Sequence, residues 1–152
     1  MFLWLRSLLS AECVVQLHSS RIRVRDLSAG TTFELEPVLA IDGAQRVVAV
    51  GRPIPASAVK TYDPFASPAA LERDRRIAEL ILQYVYSRLG TSAWLKPAPK
   101  VLLHVTPEPD NAMRRVDDAV LEELSSRAGA RITVIHRGQS ITNDDALRML
   151  RA

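Results

Sequence analysis

Only one cysteine, Cys13, occurs in the 152 residues, so no internal disulfide can form, and a reducing cytoplasm suits the chain. No apolar run is long enough to span a bilayer. There is no Cys-x-x-Cys pair, and His18, His104 and His136 lack the spacing of metal ligands, so no metal is expected. Neither sign of charge dominates. A formal charge of +3 and a pI near 9.4 are too mild for a dedicated nucleic-acid binder, and no nucleic-acid partner is expected. The adjacent acids Asp117-Asp118 and Asp144-Asp145 diverge when placed on helices, and Ser19-Ser20 lacks a nucleophile elbow. None of these pairs builds a catalytic centre. What is present is a hydrophobic content of 47%, enough for one compact domain with a real core.

Residues 1–10 stand apart from the rest. On a helix at about 100° per residue, Phe2, Trp4, Leu5, Leu8 and Leu9 gather on one side, with Arg6, Ser7 and Ser10 opposite. That pattern suits a short helix lying in a membrane interface, with Trp4 at headgroup depth and Arg6 favouring anionic lipid. Packing of the same residues on the domain or on a partner is the competing expectation. An export signal would need a basic start and small residues at its cleavage site, and Glu12 before Cys13 makes a poor lipoprotein site. The expected organisation is an amphipathic segment over 1–10 followed by a single domain over 11–152.

From Val14 to Val50 the chain alternates and turns like a meander. Arg21-Ile22-Arg23-Val24-Arg25 has period two, which puts the arginines on one face and Ile22 and Val24 on the other. The arginine face is expected to be solvated or to pair with Glu34 and Glu36. Ala29-Gly30 turns into Thr32-Phe33-Glu34-Leu35, and Asp42-Gly43 predicts a hairpin between Val38–Ile41 and Val47–Val50. Residues 51–67, with Pro53, Pro55 and Pro64, read as a loop. Ser67-Pro68 then starts a helix whose apolar stripe is Ile77, Leu80, Ile81, Tyr84, Val85 and Leu89, with Gly90 as its stop.

Val101-Leu102-Leu103-His104-Val105 reads as a buried strand, in which His104 is expected to be a hydrogen-bonded core histidine. Pro109-Asp110-Asn111 opens a second helix with Met113, Val116, Val120 and Leu124 as its stripe. Gly129 closes it, and Arg131 to Ile135 is the next strand. Strand, helix, strand in this order implies a right-handed parallel crossover. A short final helix is capped by Thr142 or Asn143.

Three stretches together resemble the first half of a bacterial actin of the MreB type. They are Phe33 to Asp42 with Ala49-Val50-Gly51, Leu82-Gln83-Tyr84 through Lys96-Pro97-Ala98-Pro99 to Pro107, and Ala128-Gly129-Ala130-Arg131. Some members of that family also begin with an amphipathic segment ahead of the first strand. The resemblance implies an α/β fold of the ribonuclease-H-like actin subdomain, with a mixed five-stranded sheet, three antiparallel strands then two parallel, and helices packed on it. At 152 residues the chain is too short for both lobes of an actin, so the expectation is a truncated half-domain.

The family places an Asp-Leu-Gly-Thr-Ala-Asn phosphate loop where this chain reads Gln16-Leu17-His18-Ser19-Ser20-Arg21. Gln16, His18 and Arg21 stand for the acid, the glycine and the asparagine. A side chain at the glycine position blocks approach of backbone amides to phosphate, and loss of the acid removes charge that helps hold the metal. The segment that should carry Asp-Gly-Val-Ile-Ala-Asp-Phe before the first helix reads Leu71 to Ile77, and His136-Arg137 stands for a water-polarising Glu-Pro. Phosphoryl transfer depends on these groups acting together. The expectation is therefore a non-enzymatic scaffold with no catalytic residue and no cofactor, linked to cell shape or a membrane-associated cytoskeleton. Its expected partners are a second copy, an actin-like filament protein or the membrane surface, which places it in the cytoplasm and at the inner face of the membrane. An actin-like adaptor of a secretion or pilus system is the alternative from the same class. A ribonuclease-H-like nuclease or residual ATPase is the alternative from another.

Overall fold

The computed structural model describes residues 11–90 and 98–152. The expected helix bearing Phe2, Trp4, Leu5, Leu8 and Leu9 lies outside the described residues, as do Lys96 and Pro97. The main sheet has five strands in the order β3-β2-β1-β7-β8, formed by β1 (Glu12–His18), β2 (Arg21–Asp26), β3 (Thr31–Leu35), β7 (Lys100–Val105) and β8 (Ile132–Arg137). The first three are antiparallel, and β1–β7 and β7–β8 are parallel. This is the mixed sheet expected above.

β1 lies at the centre and is buried on both faces. Cys13, Val15 and Leu17 point into the larger core, while Val14 points the other way. Ile22 and Val24 of β2 join the larger core, as period-two alternation requires. That core is closed by α1 (Pro68–Arg73), α2 (Arg75–Ser87) and α3 (Asp118–Arg127) through Leu71, Ile81, Leu82, Val85, Leu121 and Leu124. Ser67 caps α1 by accepting from the Ala70 amide at 3.0 Å. Between the helices and the sheet edge, the Tyr86 hydroxyl and Ser125 Oγ are 2.7 Å apart, and Thr133 Oγ1 donates to Ser125 Oγ at 2.8 Å.

The opposite face carries a smaller cluster of Val14 and Leu102 under Ala146 and Leu150 of α4 (Asn143–Arg151). α4 is fastened at both ends. Thr142 caps it, Arg25 donates to Asn143 Oδ1 and to the Ile141 carbonyl, and Arg151 makes a two-pronged pair with Glu12 at 2.8 and 3.1 Å.

Several expectations need correction. Of the two expectations for the arginine face, solvation holds for the exposed Arg21 and Arg23. Among the described residues neither Glu34, which lies opposite Arg23, nor Glu36 forms an ion pair with a β2 arginine. Arg21 pairs with Glu108, Arg25 reaches α4, and Glu36 holds Arg52 at 2.6 Å. The hairpin β4 (Leu39–Ile41) and β5 (Val47–Val50) does not extend the main sheet but forms a second one with β6 (Lys60–Tyr62), inside the segment read as a loop. Three residues are too few to show alternation. The helix after Ser67 breaks at Asp74, so the Leu71–Ile77 segment spans the end of one helix and the start of the next. Tyr84 is exposed, and Leu82 and Tyr86 take the buried positions. The second expected helix is also two pieces, a 3-10 turn over Ala112–Arg115 and then α3, with Leu121 rather than Val120 at full burial. Among the described residues, no helix is long and apolar enough to cross a membrane.

Candidate functional site at the first hairpin turn

The strands β1 and β7 run parallel and end side by side, so the turn after β1 and the loop after β7 meet at one end of the sheet. In sheets of this kind, that end is where ligands are received. The turn is His18-Ser19-Ser20-Arg21, and the loop is Thr106-Pro107-Glu108-Pro109-Asp110-Asn111.

Asn111 joins the two. It is 2% exposed; its Oδ1 accepts from the Ser19 and Met113 amides at 3.1 Å each, and its Nδ2 donates to the carbonyls of Leu17 at 2.9 Å and Thr106 at 3.0 Å. Ser19 Oγ adds two more links, donating to the Asp110 carbonyl at 3.2 Å and accepting from the Ala112 amide at 2.9 Å. The turn's next amide, that of Ser20, donates to His18 Nδ1 at 3.0 Å. A phosphate loop works by presenting free backbone amides to an anion. Here the amides of Ser19 and Ser20 both have protein acceptors.

His18 is buried beneath two carboxylates. Its Nε2 lies 3.0 Å from Glu108 Oε2 and 3.2 Å from Asp110 Oδ1. The hydrogen bond from His18 holds the Asp110 carboxyl below the usual carboxylate range. The three side chains offer ligand atoms within 4.8 Å of one another, a grouping absent from the sequence-level search for metal spacing. The tautomer stands against a metal there. Nδ1 accepts from the Ser20 amide, so the ring proton sits on Nε2 and is donated to the acids. A metal at Nε2 would need the lone pair on that atom and would force the proton onto Nδ1, facing another N–H. The pair of acids at the mouth of the turn also opposes an incoming phosphate. The donor set at the turn therefore does not fit the magnesium and nucleotide phosphate that an actin-type fold implies.

The residues expected at a degenerate phosphate loop divide three ways. Leu17 is wholly buried in the larger core and takes no part. His18, Ser19, Ser20 and Arg21 form the closed turn, Arg21 donating to Glu108 Oε1 at 3.2 Å. Gln16 faces the α4 side of the sheet and lines a pocket of about 320 Å³ with Arg23, His104, Thr106, Gln139 and Ser140, among others. His104 is a buried, hydrogen-bonded strand histidine, its Nε2 2.7 Å from the Gly138 carbonyl oxygen. Burial pushes its pKa down against the hydrogen bond to the Gly138 carbonyl, which raises it, and the charges of His136 and Arg25 add to the lowering. Sequence reasoning missed Glu108, Asp110 and Asn111 as site residues, assigning the last two to a helix start. The signal was available, because a Pro-rich polar run directly after a buried parallel strand marks the ligand-facing end of such sheets.

No family model matches the chain, and no curated protein matches its sequence. Among solved structures the chain is similar to MreB 5 of Spiroplasma citri bound to AMPPNP, at 15% identity and a TM-score of 0.58, with 84% of this chain and 38% of that chain covered. It is similar to the same protein bound to ADP at 14% identity and a TM-score of 0.59, with 86% and 39% covered. The chain thus spans 38–39% of the length of these neighbours. Likeness at such low identity speaks for architecture alone, and the architecture is that of an actin-like half-domain.

Proposed function

We propose that this actin-like half-domain is a non-catalytic binding module whose nucleotide turn has been closed from within, and that it works by associating with a second copy or with an intact actin-like filament protein. The observation that carries the reading is the pairing of the Ser19 and Ser20 amides with Asn111 and His18, beneath the Glu108 and Asp110 carboxylates. Gln16, in place of an acid on β1, removes the charge that would help hold a metal. A role beside the membrane, in cell shape or a related cytoskeleton, draws on the sequence of residues 1–10 and on the likeness to MreB-type structures.

The test is calorimetric titration of ADP and AMPPNP with magnesium into the full chain, alongside sedimentation of the chain alone over a range of concentrations. No nucleotide heat, together with concentration-dependent growth of the sedimenting species, is the expected result. Magnesium-dependent nucleotide binding would sink the reading of the turn. A strictly monomeric chain would leave only the second kind of partner.

A further inference from the structure

The face of the main sheet under α4 is only partly covered. Three helices close the larger core, whereas among the described residues α4 is the one helix on the other side. It is tied to Arg25 of β2 and Glu12 of β1 and lies over Val14 and Leu102, which leaves the edge strand β8 beyond it. Period two puts Ile132, Val134 and His136 of β8 on this face, where Val134 is partly buried and Ile132 is 40% exposed. Between His136 and α4 runs an open groove of about 650 Å³, with Ile141, Met149 and Ala152 as its apolar lining. The ions along it, Asp145 and Arg148, pair with each other. The groove therefore offers apolar surface with little charge to spare.

Spacing says what would fit there. Packed helices lie about 8–10 Å apart and strands about 4.8 Å apart, so a helix beside α4 falls about two strands away, along β8. The chain holds a segment that starts from the right place. Ala11 accepts the Lys100 amide at 2.8 Å, and Lys100 pairs with Ile132 in the parallel register. Residues 1–10 thus join the sheet at the end where Ile132 lies, about 10 Å from it across β7. As a helix they span about 15 Å, enough to cover that distance and lie in the groove. Their sequence supplies a matching side, with Phe2, Trp4, Leu5, Leu8 and Leu9 together and Arg6, Ser7 and Ser10 opposite.

We infer that residues 1–10 dock as an amphipathic helix in the groove between α4 and β8, their apolar side against Ile132, Val134 and Met149 and Arg6 in water. The same side cannot lie in the groove and in a bilayer at once. Docking therefore competes with lipid and sets how much membrane is needed to draw the segment out. That competition rests on the proposed role beside the membrane, whereas the docking does not. Neither uses a residue of the closed turn.

The experiment follows Trp4 fluorescence in the full chain carrying Trp94→Phe, which leaves Trp4 as the single indole. Without lipid, at concentrations where sedimentation shows single chains, Trp4 should emit to the blue of free tryptophan and be shielded from iodide. Ile132→Asn, a neutral change at an exposed position outside both core clusters, should move the emission to the red and open Trp4 to iodide. On vesicles of equal parts phosphatidylcholine and phosphatidylglycerol, that variant should float about threefold more at limiting lipid. Water-like Trp4 emission with the groove intact would overturn the docking, as would emission and quenching that Ile132→Asn leaves unchanged. Shielding that appears only when sedimentation shows dimers would overturn it too, by assigning the segment to a second copy. If neither chain floats while Trp4 is shielded in one and open in the other, the docking stands and the membrane competition falls.

Discussion

Asn111 shows how much of the site rests on one side chain. Its amide satisfies backbone groups from the end of β1, the turn after it, the end of β7 and the 3-10 turn, all at a buried position. Removing one member of such a network leaves several groups without partners at once, each costing about 1–3 kcal/mol when buried. Asn111→Ala should therefore lower unfolding stability by about 2–4 kcal/mol, read as a shifted midpoint in urea. It should also free the Ser19 amide, visible as faster hydrogen exchange. A change below about 0.5 kcal/mol would mean that water replaces the side chain and that the turn is open in solution. His18 is a second case in which residue type alone misleads. As a sequence symbol it is a bulky replacement for glycine, whereas in the fold its ring accepts one amide of the turn and donates to two acids.

At the scale of elements, α4 is the part most open to test. It covers Val14 and Leu102 through Ala146 and Leu150, with Leu27, Val134, Ile141 and Met149 partly buried around them, and polar contacts fasten it near its two ends. Truncating a buried leucine costs both transfer free energy and a cavity. Leu150→Ala should destabilise by about 2–3 kcal/mol, and Arg151→Ala should raise exchange in α4 ahead of the main sheet. Uniform exchange across both would show that α4 unfolds only with the whole domain.

Most of the main sheet was legible in the sequence because its signals are local. The alternation of Arg21 to Arg25, the apolar run Val101 to Val105, and the Ser67 cap each belong to one segment. What escaped was set by tertiary contact. The three-residue β6 exists because β4 offers it an edge, and the break at Asp74 splits a stripe that periodicity reads as continuous. The candidate site was legible only from the β1 side. Its other half, Glu108 to Asn111, is about 90 residues further along the chain, and only the parallel pairing of β1 with β7 brings it into contact.

For the whole molecule the open matter is where the domain is held. Residues 1–10 precede Ala11, which accepts the Lys100 amide at 2.8 Å at the sheet end opposite the closed turn. An anchor there would leave the turn and the pocket facing away from the surface that holds it. Liposome flotation with anionic lipid, comparing the intact chain with a variant lacking Met1 to Leu9, should float the former and not the latter. Raising the salt should weaken the binding, because Arg6 contributes through charge. An amphipathic segment of about two turns would bury little area, so a monomer would bind weakly and gain from self-association. If neither chain floats, those apolar residues belong to a protein interface.

The closed turn has a last consequence, for timing rather than affinity. A loop that waits for its ligand ties its shape to the supply of that ligand, because binding to the folded state alone shifts the folding equilibrium. A loop whose amides are matched during folding by Asn111 and His18 has no such dependence. On the proposed reading its conformation is set when the chain folds and does not follow the supply of nucleotide.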